Sequence, residues 1–321
     1  MAKHYISWWN VENLFDERNA PIERRPEKLK RKIAADLKAW TPTVLKKKIK
    51  NLASVIDQMN DGLGPDILGV CEVENAYVLN QLIDEISCRS TYKLIHHDMK
   101  DQRGIDVAFI YDGEKYSFIK KEFFTHTVIK RYPTREIVQA TLKVKASGQE
   151  LILVGNHWPS RSAGQYASEP YRIIAAETLS YFVQRIQEVK GKDAAIVVMG
   201  DFNDEPHARS LTDYALSVMN RDKVVYARNP VLYNLMWDLL GARKGSYVYG
   251  GAAMMIDQFL VSKGIAKKSG LFSLDTGKVK IEIFPKMVSG RYDTPVRFGQ
   301  SKPNLDGYSD HLPISFVLGE K

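Results

Sequence analysis

Apolar positions along this chain follow two periods, and the changes between them mark out helices and strands. Leu45, Ile49, Leu52, Ile56 and Met59 step by four, three, four and three, which is one face of a helix. Asp61-Gly62 and Gly64-Pro65 predict its end. "DILGVCE" then reads as a short apolar strand. A second long helix is predicted from about Pro170 to Lys190, with Pro170 suited to a first helical position and Gly191 to the stop. Tyr171, Ile174, Ala175, Thr178, Leu179, Phe182 and Ile186 supply its inner face, and "AAIVVMGD" follows as another apolar strand.

The two halves of the chain therefore rhyme: long helix, turn, apolar strand, carboxylate at the strand's end. Those carboxylates are Glu72 and Asp201. Further strands are predicted over 4–10, 105–111, 135–145, 149–156, 256–262 and 312–318, and "ASGQ" joins the third and fourth as a hairpin. Strands outnumber long helices and several neighbours look antiparallel. A mixed-sheet α/β sandwich fits this better than a purely parallel doubly wound sheet.

Composition changes that picture little. The chain has 321 residues, 44% hydrophobic and 26% charged, which is ordinary for a globular protein with a large core. No apolar run approaches the roughly 20 residues needed to span a bilayer, and the start has no signal-like apolar core. The expectation is a cytoplasmic monomer without a transmembrane segment, or a secreted protein if a leader has been removed. Cys71 and Cys88 are the only cysteines, too few for a disulfide framework or a metal cage, and are expected to be reduced.

Charge is informative through its placement. The net charge is +8, yet Arg24 to Lys50 holds eleven Lys and Arg against Glu27 and Asp36, so this window alone is +9. It is either the wet face of helices or a polyanion-binding arm.

The candidate chemistry sits where apolar strands end. Asn10 and Glu12 follow "HYISWW", Glu72 follows "DILGVC", and Asn156 and His157 follow "LILVG". Asp201 and Asn203 follow "AIVVMG", Asp257 lies inside "MMIDQFLVS", and Asp310 and His311 precede "LPISFVL". Each alone is compatible with a cap, a turn or a satisfied core group; Asp257 stands out because a buried carboxylate needs a partner. Strand ends on one rim of a sheet bring such residues together.

"WWNVENLFD", "DILGVCEVEN", "RGIDVAFIYD", "TREI", "VGNHWPSR", "VVMGDFNDEP", "MIDQFLVS" and "YSDHLPI", in this order, resemble the endonuclease/exonuclease/phosphatase superfamily over nearly the whole chain. That group includes DNase I, exonuclease III-type repair enzymes, inositol-polyphosphate 5-phosphatases and neutral sphingomyelinases. The resemblance implies one domain over 1–321, a four-layer DNase I-like sandwich of two packed mixed β-sheets flanked by helices. The 24–50 segment becomes an insertion near the active rim.

It also implies roles. Glu72 is the principal ligand of Mg²⁺, with Mn²⁺ as a substitute, and Asn10 and Asp310 assist. Oxygen donors of this kind suit a hard cation that keeps several waters. Asp257 fixes the tautomer of His311; His157 contacts the scissile phosphate, with Asp106 as its possible partner. Asp201, the base, and Asn203 position the attacking water. Asp204 and Glu205 have no role and are expected to face solvent or cap a helix. Arg135, Arg161, Arg103 and Arg172 are candidate phosphate contacts.

The "NHWPSR" variant most resembles bacterial extracellular nuclease-like members. With the basic window leaving the strand that carries Asn10, it favours a nuclease acting on DNA or RNA. An inositol, lipid or other small-molecule phosphatase shares the whole polar set. A catalytically silent binding module or a purely structural domain fits less well, because it would have no use for the complete set.

Overall fold

Trp8 and Trp9 are consecutive in β1 (Ala2–Leu14) and both are fully buried, on opposite faces of one strand. Trp8 joins the core between two sheets, and Trp9 joins the core between the first sheet and its helices. A strand covered on both faces must be central in a layered fold. The computed structural model describes residues 2–131, 133–162, 164–241, 244–274 and 279–321.

After β1 come α1 (Glu27–Ile33), α2 (Pro42–Ile56), β2 (Ile67–Val73), α3 (Ala76–Glu85), β3 (Tyr92–His96), β4 (Asp106–Asp112) and β5 (Tyr116–His126). β6 (Ile137–Val144) and β7 (Glu150–His157) form the expected hairpin, followed by α4 (Gln165–Lys190) and β8 (Ile196–Asp201). The remainder is β9 (Ser217–Val218), α5 (Arg221–Tyr226), β10 (Leu232–Asn234), β11 (Tyr247–Tyr249), β12 (Ala252–Met254), β13 (Asp257–Val261), α6 (Lys263–Ala266), β14 (Phe272–Leu274), β15 (Lys280–Ile281), β16 (Val288–Ser289), β17 (Thr294–Pro295) and β18 (Ile314–Glu320).

Two seven-stranded mixed sheets result. One runs β14-β18-β1-β2-β4-β3 with β15 also on β18; the other runs β5-β6-β7-β8-β13-β10-β9. Their inner faces share one apolar cluster, in which Trp8, Phe109 and Phe316 of the first sheet meet Leu153, Met199 and Phe259 of the second. Close approach is enforced by glycine: a Cβ on Gly155 would stand 2.6 Å from Val107. The outer face of the first sheet packs on α2, and that of the second on α4. The order helix, sheet, sheet, helix is the expected four-layer sandwich.

One expectation about an element is corrected, and several elements had none. α4 begins at Gln165 rather than Pro170, so Pro170 lies within its first two turns. α3 and the strands β3 and β5 carried no prediction. β5 is an edge strand with a register shift between Phe118 and Phe123, and its side chains do not alternate cleanly between buried and exposed. Its pattern therefore lacks a readable period. No helix among the described residues is long and apolar enough to cross a membrane.

Candidate active site

Register assembles half of the site. In the second sheet His157 of β7 is the cross-strand partner of Asp201 of β8, and Asp201 is the partner of Asp257 of β13. Cross-strand partners project from the same face, so three residues distant in sequence form one row. In the first sheet Asn10 of β1 pairs with Cys71 of β2. Register shifts follow at once, between Asn10 and Leu14 and between Cys71 and Val73.

Those irregularities coincide with backbone strain. Glu12, Asn13, Glu72 and Asn203 all have positive φ, at 50°, 53°, 63° and 51°. Non-glycine residues rarely adopt the left-handed region. Bulges re-aim side chains, and such strain gathers at functional sites. The bulge aims Glu72 towards His157, whose Nε2 is 3.7 Å from Glu72 Oε1.

The side chains close into a ring around Asp201. Its Oδ2 accepts from Asn10 Nδ2 at 3.0 Å and lies 3.9 Å from Nε2 of both His157 and His311. Its Oδ1 accepts from the Asn203 backbone N–H at 2.9 Å. His311 Nδ1 and Asp257 Oδ2 are 2.7 Å apart, while Trp8 Nε1 donates to Asp257 Oδ1 at 3.0 Å. Tyr247 covers the other side of His311, with ring centroids 4.7 Å apart.

Burial and charge set the protonation states. Burial raises the Asp201 carboxyl to about 7, against the nearby His311 charge and the hydrogen bonds from Asn203 and Asn10. Burial opposes charge on His311, but Asp257 first, then Asp201 and Asp310, outweigh it and push its pKa well above the usual imidazole range. His157 goes the other way: burial and then the Arg135 charge hold it far below that range, as a neutral ring. Burial also lifts Asp310 to about 6. One ring is thus charged and the other neutral.

Among the arginines, Arg103 reaches the rim. It donates to Asn13 Oδ1 and lies 3.7 Å from Glu72 Oε1, half exposed. Arg135 is close enough to depress the His157 pKa, but it is mostly buried and donates to Trp158 O. Arg161 donates to Asn203 O at 2.6 Å and to Asp204 Oδ1 at 2.9 Å, so it braces the loop beneath Asn203.

Several expectations about side chains fail. Arg172 is sealed from solvent, with Nε 2.7 Å from Asp204 Oδ2 and Nη1 donating to Ser168, so it cannot meet a substrate. Asp204, expected to face solvent or cap a helix, is buried between Arg161 and Arg172 and accepts from Ser210. Asp106 does not partner His157: it binds His96 at 2.9 Å and the Met99 N–H. His157 Nδ1 has no hydrogen-bond partner among the described residues.

Within the basic window, Arg25 is buried on Glu74 and Lys48 is buried with its ammonium on Tyr308 O. Burial lowers Lys48 to about 8 despite the nearby Glu12 and Asp310 charges. One further residue at the rim, Arg297, escaped the sequence reading. Arg297 donates from Nε and Nη2 to Glu12 Oε1 at 2.9 and 2.7 Å, and lies 3.6 Å from Asp310 Oδ2. Glu12 is its buried anchor, also taking the N–H groups of Phe298 and Gly299. Arg297 lies in irregular chain with no periodicity to flag it. Glu12, two residues beyond Asn10, was the only available signal.

The donor set suits a hard divalent cation. Asp201, Asp257 and His311 offer ligand atoms within 4.8 Å of one another. Both oxygens of Asp257 are already hydrogen-bonded, however, and His311 is held charged. Glu72 is better prepared: its Oε2 takes the Asn13 N–H, while Oε1 makes no hydrogen bond among the described residues. Carboxylate oxygens without a thiolate match magnesium-type coordination.

The comparisons with known proteins bear on the fold and the family. The family model described as Endonuclease/Exonuclease/phosphatase family matches residues 5–320. No curated protein matches the sequence. Among solved structures, an endonuclease/exonuclease/phosphatase from Bacteroides vulgatus superposes with a TM-score of 0.59 at 15% identity, covering 100% of both chains. D. rerio TDP2 complexed with single strand DNA product gives 0.59 at 15% identity, covering 99% of this chain and 100% of that one. A mannosyl-6-phosphatase from Bacteroides thetaiotaomicron gives 0.54 at 16%, covering 98% and 99%. At these identities the superpositions establish the sandwich, and the family model extends to the strands that carry the ring around Asp201. The chain belongs to the endonuclease/exonuclease/phosphatase family.

Proposed function

We propose that the protein is a divalent-metal-dependent phosphodiesterase that hydrolyses polynucleotides by an activated water. The observation that carries the polynucleotide reading is the cationic border beside Glu72. Arg103 lies there, and α1 packs directly on its loop: Lys32 Nζ donates to Gln102 at 2.9 Å, and Leu29 fills the space where Gly104 would carry a Cβ. Lys28 and Lys32 are exposed on α1 beyond it, with Arg31, paired to Glu27 at 3.0 Å, between them. A phosphomonoester has no use for so long a positive edge, whereas a polynucleotide backbone gains by displacing its counterions.

Glu72, Asn10 and Asp310 would hold the cation, which when bound neutralises charge on the phosphate oxygens. The protein's own groups do the rest. Asp201, with its pKa near 7, takes the proton of the attacking water as its oxygen approaches phosphorus. The side-chain oxygen of Asn203, whose Nδ2 donates to Trp158 O at 3.0 Å, accepts a hydrogen bond from that water on the other side. His311, kept positive by Asp257, and the neutral His157 donate hydrogen bonds to oxygens that gain charge in the transition state.

The test is one substrate panel: DNA, RNA, a phosphoinositide, a sugar phosphate and bis(4-nitrophenyl) phosphate, with Mg²⁺, with Mn²⁺ and with chelator. The expected result is metal-dependent cleavage of a polynucleotide and of the generic diester. Turnover confined to the phosphoinositide or sugar phosphate would replace this reading with a phosphatase.

A further inference from the structure

We propose that Arg297, Tyr249 and Tyr292 form a subsite for the nucleotide beside the scissile phosphate, on a single-stranded polynucleotide. This rests on the phosphodiesterase reading above and specifies its substrate. Arg297 flanks the site on the Asp310 side, as Arg103 does on the Glu72 side. Its side chain is 63% exposed, yet its guanidinium is clamped by the buried Glu12. An exposed arginine ordinarily samples many rotamers. This one is pre-oriented, with Nη1 making no hydrogen bond among the described residues, so a phosphate would bind without the usual ordering cost.

The surroundings suit an anion followed by an aromatic group. Arg297 opens onto a groove of about 460 Å³, lined also by Lys302, Ser289, Ser301 and Asn304, with no carboxylate in its lining. Two hairpins rise beside it. β16 and β17 carry Tyr292 in their turn, and β11 and β12 carry Tyr249 next to theirs; these rings are 57% and 72% exposed. The hairpins touch, since a Cβ on Gly251 would stand 3.9 Å from the Tyr292 ring.

Tyr247 packs on His311, and Tyr249 lies two residues further along the same strand. Residues two apart share a face, about 7 Å from each other. The aromatic surface therefore starts at the centre and leads outward. Scattered surface tyrosines need no explanation. Two on adjoining hairpins, beside a cationic groove and in line with the candidate catalytic histidine, match the stacking platforms that hold unpaired bases.

The experiment measures binding by fluorescence anisotropy in an Asp201→Asn background with Mg²⁺, across a salt series. The probes are short oligothymidylate, oligouridylate and an abasic oligomer of equal length. Tyr249→Ala with Tyr292→Ala should weaken binding of the base-bearing strands about tenfold or more, and leave the abasic strand nearly unaffected. The corresponding Phe variants should restore affinity. Arg297→Gln should lower the slope of log affinity against log salt by about one on all three probes, and Arg297→Lys should retain it.

Equal affinities of the parent and the Tyr→Ala double variant for both base-bearing strands would overturn the subsite. So would an unchanged salt slope in Arg297→Gln. Failure of the reaction reading looks different: the wild type would not hydrolyse bis(4-nitrophenyl) phosphate with any metal. Tyrosine- and arginine-dependent binding would then still support the subsite.

Discussion

Asp201 carries the most consequential conflict at the scale of single residues. Its carboxyl is fully enclosed and ionises only near pH 7, against an ordinary value of 3.8. Between those two values the unfolded chain has released a proton that the folded chain retains, so stability falls as pH rises through that window and stays reduced above it. Asp201→Asn removes the term. In metal-free protein the variant should melt higher than wild type at pH 8, and the gap should close towards pH 4. Thermal melts across pH check this, and a gap that widens on acidification would contradict a raised carboxyl. The same variant should lose nearly all hydrolysis, a trade of activity for stability.

The histidines make a second residue-scale prediction. His157→Ala and His311→Ala should each reduce turnover about 10²–10⁴-fold, with far-UV circular dichroism unchanged, since His157 ends β7 and His311 precedes β18, both outside the apolar clusters. Asp257 and His311 are 2.7 Å apart and act through one contact. Asp257→Asn combined with His311→Ala should therefore cost little more than the worse single change. Multiplicative losses in kcat/KM would argue that the pair does not work as a unit.

At the scale of elements, the basic window divides into parts with different work. α1 lies on the Arg103 loop, whereas α2 turns Leu45, Ile49, Leu52 and Ile56 into the core and leaves Lys46 and Lys50 exposed. Neutralising Lys28, Arg31 and Lys32 should flatten the salt dependence of polynucleotide binding more than neutralising Lys46, Lys47 and Lys50, because α1 packs on the Arg103 loop beside Glu72. Equal slopes for the two triple variants would remove α1 from the binding surface. Lys48 belongs to neither group. It is buried under Asp310 and Glu12 with its ammonium on Tyr308 O. Lys48→Met should cost on the order of 1–3 kcal/mol, as expected for a lost buried hydrogen bond. Chemical denaturation measures it.

At the scale of the whole molecule, the site is a seam. Asn10, Glu72 and Asp310 come from the first sheet and its connections, while His157, Asp201 and Asp257 come from the second. A cation held by Glu72, Asn10 and Asp310 on the first-sheet side of that seam would stabilise the folded state by mass action, about 2.7 kcal/mol at a hundred times its Kd. Mg²⁺ or Mn²⁺ should raise the Tm of wild type, chelator should reverse this and abolish hydrolysis, and Glu72→Gln should show a much smaller rise. Full activity of metal-free protein in excess chelator would contradict the metal requirement.

The chain's own pattern determined the framework, because each of its signals is local. Apolar runs of strand length, the 3.6-residue face of α2 and the polar residues ending each strand can be read within a dozen residues. The rhyme of helix, strand and carboxylate anticipated that Glu72 and Asp201 would close equivalent strands, β2 and β8. Tertiary structure alone decided which polar groups face the site and which hold the fold. Asp201 and Asp204 stand three residues apart in one acidic run, yet one lies between two histidines and the other between Arg161 and Arg172. Arg172 and Arg297 are the same residue type, and only long-range packing seals the first and exposes the second at the rim. Bulges, left-handed backbone at Glu72 and Asn203, and ion pairs between distant segments all depend on contacts made after the sheets have formed. A periodicity reports which face of an element is buried. It carries no record of which charge will meet which across the interior.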